Sequence, residues 1–138
     1  MLLLIVALSC RKEGIEDSII PQIQIINVEP LQVQQFQENV VITIYYKDAD
    51  GNIGETHPDS ASLYIQDSRL EDFDKYHIPP QAPIGKKVSI RGHFIVTINA
   101  PFLLGNGGDE KVFYNIKLRD RSGNWSNIES TPKITITK

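Results

Sequence analysis

The stretch VVITIYYKDADGNIGE, residues 40–55, alternates apolar and other side chains and then changes abruptly into acids, asparagine and glycine. Every second residue from Val40 to Tyr46 is apolar and falls on one side of an extended chain, because successive side chains of a strand point to opposite faces. The Asp-Gly pair that follows favours a tight turn. This stretch therefore predicts a long strand with one buried face, followed by a polar loop.

The rest of the chain repeats this two-residue period in short segments separated by turn signals. The apolar residues that share a face within each segment are Ile23 and Ile25; Leu63 and Ile65; Phe94, Val96 and Ile98; Val112, Tyr114, Ile116 and Leu118; and Ile134 and Ile136. No long segment carries the 3.6-residue apolar stripe of a helix. About seven short strands predict an all-β fold, a single antiparallel β-sandwich. An up-and-down barrel is the rival architecture, but the unequal lengths of the loops favour the sandwich.

Length and composition indicate one domain of ordinary globular character. The chain has 138 residues, of which 41% are hydrophobic and 22% charged, with a formal net charge of -3. A protein that binds nucleic acid needs a basic face to neutralise phosphates, and the sequence has no such cluster, so no nucleic-acid partner is expected. Residues 10–20 are polar and predict a tether, which leaves residues 21–138 for the sandwich domain.

The first ten residues, MLLLIVALSC, form an apolar run that ends at the only cysteine of the chain, Cys10. The run is shorter than the roughly 20 residues that span a bilayer and suits the apolar core of a secretory signal. Its end resembles the lipobox of bacterial lipoproteins, in which the signal is cut before a cysteine that then carries lipid. The resemblance implies a signal peptide over residues 1–9 and an anchor through lipid on Cys10 in the cell envelope, at the outer membrane. From the residues alone, a buried apolar strand with an inert cysteine is the alternative.

The segment VFYNIKLRDRSGNWSN resembles the penultimate strand and following hairpin of immunoglobulin-like and fibronectin type III-like modules. In such modules a tyrosine begins that strand and an Asp-x-x-Gly-Asn turn follows it, the places that Tyr114, Asp120, Gly123 and Asn124 hold here. The resemblance implies an immunoglobulin-like sandwich. Together with the SC signal and the D-x-D-G-x-I-G loop, the chain is similar to small lipoproteins of the Bacteroidetes type.

The polar loop DADGNIGE admits two interpretations. Asp48, Asp50 and Asn52 alternate along it, and calcium prefers several oxygen ligands of this kind. A helix-loop-helix calcium site is excluded because its obligatory glycine is replaced by Ile53. A looser calcium site between sandwich loops is one hypothesis. The other is a plain turn in which the glycines adopt positive φ and the polar side chains bond nearby backbone.

Three aromatic residues are candidate ligand contacts. Trp125 lies in the second hairpin, and Phe73 and Tyr76 lie in the long connection between Arg69 and Lys87. An aromatic side chain on a loop can stack on a sugar ring or anchor a protein partner. Alternatively, Trp125 closes the open end of the core, and the long connection lies over the sandwich, pinned by Phe73 and Tyr76.

The residues of catalysis are missing from the pattern, so we expect no enzyme and no catalytic residues. His57, His77 and His93 are isolated, and no Gly-x-Ser-x-Gly elbow or phosphate-binding glycine loop occurs. The sequence favours a lipid-anchored envelope module that binds a protein or glycan. The alternative is a structural spacer module of a larger envelope assembly, which calcium could stabilise.

Overall fold

The computed structural model describes residues 18–138, and within them it is built of ten β-strands without a helix. The strands are β1 (Gln22–Glu29), β2 (Gln32–Gln34), β3 (Val40–Asp48), β4 (Leu63–Asp67), β5 (Asp74–Tyr76), β6 (Ile90–Ile98), β7 (Glu110–Val112), β8 (Tyr114–Leu118), β9 (Glu129–Ser130) and β10 (Ile134–Thr137). None of these residues belongs to a helix long and apolar enough to cross a bilayer. The predicted signal peptide, Cys10 and most of the predicted tether lie outside the described residues.

The strands form three sheets that enclose one core. Two of the sheets are antiparallel, with the orders β1-β3-β6 and β5-β4-β8-β9. In the third, β10 pairs with β7 in antiparallel and with β2 in parallel orientation. No sheet in the described part of the chain closes on itself, which confirms the all-β sandwich and disfavours the barrel.

The strand count differs from the predicted seven because four of the ten strands have only two or three residues. Strands this short cannot display a two-residue period. The predicted single strand KVFYNIKL adds to the count for a different reason, since it divides at Phe113 into β7 and β8. Val112 pairs with Ile134 in the mixed sheet, whereas Tyr114 pairs with Asp67 in another. A strand that passes from one sheet to the next makes a corner of the sandwich.

The predicted inner face of β3 is confirmed. Val40, Ile42 and Ile44 are fully buried and Tyr46 nearly so, in one cluster with the apolar residues of β4, β8 and β10. Burying one such side chain contributes about 1.5–3 kcal/mol to folding. The face is therefore the centre of the fold, as the two-residue period predicts.

One of the two interpretations of the long connection after β4 had Phe73 and Tyr76 pin it to the sandwich, and the structure buries a different residue there. Phe73 is only half-buried and Tyr76 is exposed, whereas Ile78 is buried in the core. The backbone on either side of Ile78 bonds the polar loop, because Glu55 N donates to Ile78 O at 2.8 Å and Gln81 N donates to Ile53 O at 3.0 Å. Ile78 therefore fastens this connection over the polar loop.

The pairing register places the polar loop and the start of the described chain at the same end of the sandwich. Gln22, at the start of β1, pairs with Lys47, and Ala49 N donates to Ser18 O at 3.2 Å. The other end of β3 lies about 30 Å away, at about 3.4 Å per residue. The described chain therefore begins at the end of the sandwich that carries the polar loop.

Candidate functional site

The outer surface of β4 and β8 carries a group of aromatic and basic side chains, which we call the aromatic face. Its members are Tyr64, Phe73, Lys117, Arg119 and Trp125. Tyr64 and Lys117 are cross-strand partners, and the backbone bridge between Arg119 and Trp125 brings the tryptophan beside them. The Trp125 ring meets Tyr64 edge-on with 4.8 Å between centroids. Pairing of the strands thus gathers residues from three separate segments.

Lys117 occupies the centre of the aromatic face. Its Nζ lies 4.2 Å from the centroid of the Trp125 ring and 4.4 Å from that of Phe73. Arg119 Cζ lies 5.4 Å from the same Trp125 centroid. Such cation–π contacts contribute about 0.5–1 kcal/mol each at exposed sites. The face therefore combines rings with positive charge, although the chain as a whole is acidic.

A strip of amides next to the rings holds the loop that carries Phe73. Gln66 Nε2 donates to Leu70 O at 3.2 Å and to Glu71 O at 2.9 Å. Asn115 Nδ2 in turn donates to Gln66 Oε1 at 3.1 Å. These bonds fix the start of the long connection, so that Phe73 reaches Lys117.

The three predicted contact residues do not form one group. Trp125 keeps 39% of its surface exposed and shares Lys117 with Phe73, so it does not bury itself against the end of the core. Tyr76 is similarly exposed, at 41%, but it pairs with Leu63 and so points to the opposite side of the sheet. There it lines a groove beside Phe94. The structure thus joins Trp125 and Phe73 and separates Tyr76 from both.

The second group lies at the end of β3, and we call it the acidic end. It consists of Asp48, Asp50, Asn52 and Asp120. One carboxylate oxygen from each of the three aspartates lies within 4.8 Å of the others. Asp48 and Asp120 are each only 2% exposed, which is rare for an acid without a cationic partner.

Asp120 comes to the acidic end from a distant part of the sequence. A backbone bridge joins it to Ile53, and Arg121 N donates to Asn52 O at 3.1 Å. The sequence interpretation did not group Asp120 with the other three residues. Its Asp-x-x-Gly-Asn motif signals a turn, and that turn is formed, with Asp120 Oδ1 accepting from Asn124 N at 2.7 Å. The position of Asp120 beside Asp48 and Asp50 depends on the tertiary contact between the two loops, so the sequence motif does not show it.

The glycines of the polar loop have the predicted positive φ. Gly51 has φ 71° and Gly54 has φ 93°. A Cβ atom at Gly51 would collide with Val88 O, and one at Gly54 with Pro79 O, so neighbouring backbone also demands glycine there. Asp48 Oδ2 accepts from Asn52 N at 3.0 Å, which closes the turn. The turn geometry is therefore confirmed, and it is compatible with either hypothesis for the loop.

Hydrogen bonding within the acidic end leaves three acceptors unused. Asn52 Nδ2 donates to Asp50 Oδ2 at 3.1 Å and to Ser122 Oγ at 2.9 Å. Asp48 Oδ1, Asp50 Oδ1 and Asn52 Oδ1 are buried and have no donor among the described residues. Buried polar atoms are rarely left so, because each lost hydrogen bond costs about 1–3 kcal/mol.

No cationic side chain of residues 18–138 forms an ion pair with these aspartates. The nearby Arg121 guanidinium donates instead to Gly54 O at 2.7 Å and to Ile53 O at 3.3 Å. The pKa of Asp48 is raised to about 6, mainly by burial, against the lowering effect of the Asn52 amide bond. The charge of Asp50, a hydrogen bond to the Asp50 side chain and the charge of Asp120 contribute to the raised pKa. The acidic end is therefore a partly dehydrated group of carboxyl side chains without a cationic partner among residues 18–138.

No protein-family model, curated protein or solved structure matches this chain. Function depends on the side chains of a site rather than on the fold that carries them.

Proposed function

We propose that the chain is a lipid-anchored, non-catalytic β-sandwich module of the cell envelope that binds a protein or glycan partner through the aromatic face. The observation that carries the proposal is the exposure of Trp125 beside Lys117, Tyr64 and Phe73. Interfaces are enriched in aromatic and arginine side chains, and a few such anchors supply most of the binding energy.

The chemistry of the face indicates what it could recognise. The rings offer apolar surface to a sugar ring or to an apolar side chain. Lys117 and Arg119 add positive charge, and Lys75 follows on the same side of the sheet as the cross-strand partner of Tyr64. A partner that carries carboxylates next to apolar surface, such as an acidic polysaccharide or an acidic protein surface, fits this combination.

The proposed address rests on the resemblance at the N-terminus. Cys10 ends a lipobox-like sequence and precedes the first described residue, Ser18, by a short polar segment. The finer assignment, an immunoglobulin-like sandwich in a Bacteroidetes-type lipoprotein, rests on the Tyr114 to Asn124 motif. The all-β sandwich and the burial of Tyr114 support it.

The test is binding by matched aromatic variants. Wild type, Trp125→Ala and Tyr76→Ala are run through gels that contain polygalacturonate, an acidic polysaccharide, or dextran, a neutral one. The same proteins are used to capture partners from solubilised envelopes. We expect wild type to be retarded by polygalacturonate or to capture an envelope protein. Trp125→Ala should lose that binding, and Tyr76→Ala should retain it. Binding that survives Trp125→Ala but not Tyr76→Ala would place the contact in the groove and contradict the proposal, as would no binding at all.

A further inference from the structure

The acidic end has an electrostatic deficit that the described residues do not correct. Three carboxylates converge there, two of them are almost fully buried, and no ion pair balances them. Like charges at this separation repel strongly, because water is partly excluded between them. An acidic cluster on a solvated surface would need no explanation, but Asp48 and Asp120 are withdrawn from solvent.

The unused oxygens supply an independent indication of a ligand. Asp48 Oδ1 belongs to a side chain that is 98% buried, and it has no donor within residues 18–138. Asp50 Oδ1 and Asn52 Oδ1 are likewise buried atoms without a donor, in side chains that are half-buried. The Asn52 amide nitrogen is committed to Asp50 and Ser122, which leaves its oxygen available. These atoms are acceptors without donors, so the missing partner is one that interacts with oxygen lone pairs.

We propose that Asp48, Asp50, Asn52 and Asp120 bind one calcium ion at the acidic end. The three aspartates each offer a carboxylate oxygen, and Asn52 offers an amide oxygen that has no donor among the described residues. The oxygens of Asp120 also accept from Asn124 N and Nδ2, so Asp120 would share its carboxylate between the turn and the ion. Neither histidine nor cysteine belongs to the group, which excludes the donor sets that zinc and copper prefer. Calcium accepts six to eight oxygen ligands in variable geometry and readily uses side chains from irregular loops, together with water and backbone carbonyls. Magnesium requires a stricter octahedron and retains more of its water, so it fits a set of protein oxygens drawn from two loops less well.

The ion would act as a link between two sheets. Asp48 ends β3 of one antiparallel sheet, whereas Asp120 follows β8 of the other. The loops are also joined by the Ile53–Asp120 bridge and the Arg121 N–Asn52 O bond. Side-chain bonds add to these, from Asn52 Nδ2 to Ser122 Oγ and from the Arg121 guanidinium to the carbonyls of Ile53 and Gly54. Calcium therefore holds the end of the sandwich where the chain enters the domain, independently of any partner at the aromatic face.

The experiment combines calorimetric titration with thermal unfolding of the full chain, purified in detergent and stripped with EGTA. Wild type is titrated with CaCl₂ and, separately, with MgCl₂. We expect one calcium ion to bind per molecule. The melting temperature with excess calcium should be about 5–10 °C higher than that of the EGTA-stripped protein. Magnesium is expected to produce a markedly smaller rise.

Three variants make the result specific. Asp120→Asn and Asp50→Asn should each weaken calcium binding at least tenfold. Asp50 is less buried than Asp120, so Asp50→Asn should disturb folding less than Asp120→Asn does. Asp59→Asn is the matched control, since Asp59 lies near the same loop but is exposed and outside the group. Superimposed melting curves with and without calcium, an equal effect of magnesium, or an equal loss in Asp59→Asn would each overturn the proposal.

Discussion

The acidic end and the aromatic face differ in how their charges are balanced. At the aromatic face, Lys117 lies between the Trp125 and Phe73 rings and remains near solvent, so the group is stable by itself. At the acidic end, Asp48 and Asp120 are shielded from water and face a third carboxylate. A balanced, exposed group is free to meet a partner without changing the fold. An unbalanced, buried group affects the fold until a cation neutralises it.

This comparison predicts that the folded state depends more on the acidic end than on the aromatic face. The strongest test removes the apolar support of the acidic end. Ile53 is fully buried and connects the loop to Asp120, so Ile53→Ala should cost about 2–5 kcal/mol of unfolding free energy. Chemical denaturation measures this loss. The exposed Ile128 provides a control, and Ile128→Ala should change the unfolding free energy by less than about 0.5 kcal/mol.

Asp48→Asn separates the effect of charge from that of shape. In EGTA the variant should be more stable than wild type by about 1–3 kcal/mol, because it replaces a carboxylate whose ionised form is disfavoured by burial, the main cause of the raised pKa of Asp48, with a neutral amide. With calcium the order should reverse, because the ion loses a charged ligand. Unfolding in urea under both conditions measures the two differences. A variant that is less stable than wild type in both conditions would mean that the carboxylate serves hydrogen bonding alone.

The aromatic face should show a smaller and purely local coupling. In a double-mutant cycle of Lys117→Ala and Trp125→Ala, the coupling energy should be about 0.5–1 kcal/mol, since the contact is partly exposed. The same cycle should be insensitive to calcium. A coupling that changes when calcium is added would show that the two regions are linked, contrary to the comparison.

Removal of the proposed lipid anchor at Cys10 should affect folding least. Cys10→Ser should abolish labelling by an alkyne fatty acid in growing bacteria and release the protein from the membrane fraction. The unfolding free energy of the sandwich domain should change by less than about 0.5 kcal/mol. Labelling that persists in Cys10→Ser would contradict lipidation at this residue.

The all-β fold could be predicted because β3 alternates strictly between buried and more open positions. The inner residues Val40 to Tyr46 carry that signal locally, within one strand. The division of KVFYNIKL at Phe113 could not be predicted, because both halves keep the same period while pairing with different sheets. Short strands such as β9 have too few residues to show any period.

The candidate sites were predictable only in part, for a related reason. Asp48, Asp50 and Asn52 are neighbours in sequence, so their oxygens could be grouped before the fold was known. Asp120 joins them through a contact between two loops, which no local pattern encodes. Trp125 and Phe73 likewise share a contact with Lys117. Lys117 lies on β8, where the sequence pattern drew attention only to the apolar residues.

The most direct test of the account is a high-resolution crystal structure of the protein grown with calcium. The account predicts a strong peak at the acidic end, with oxygens of Asp48, Asp50, Asn52 and Asp120 at about 2.3–2.6 Å from it. The anomalous signal of the peak should match calcium. A site that contains only water at hydrogen-bonding distances, or a lysine ammonium from elsewhere in the chain, would contradict the claim that a calcium ion completes this end of the sandwich.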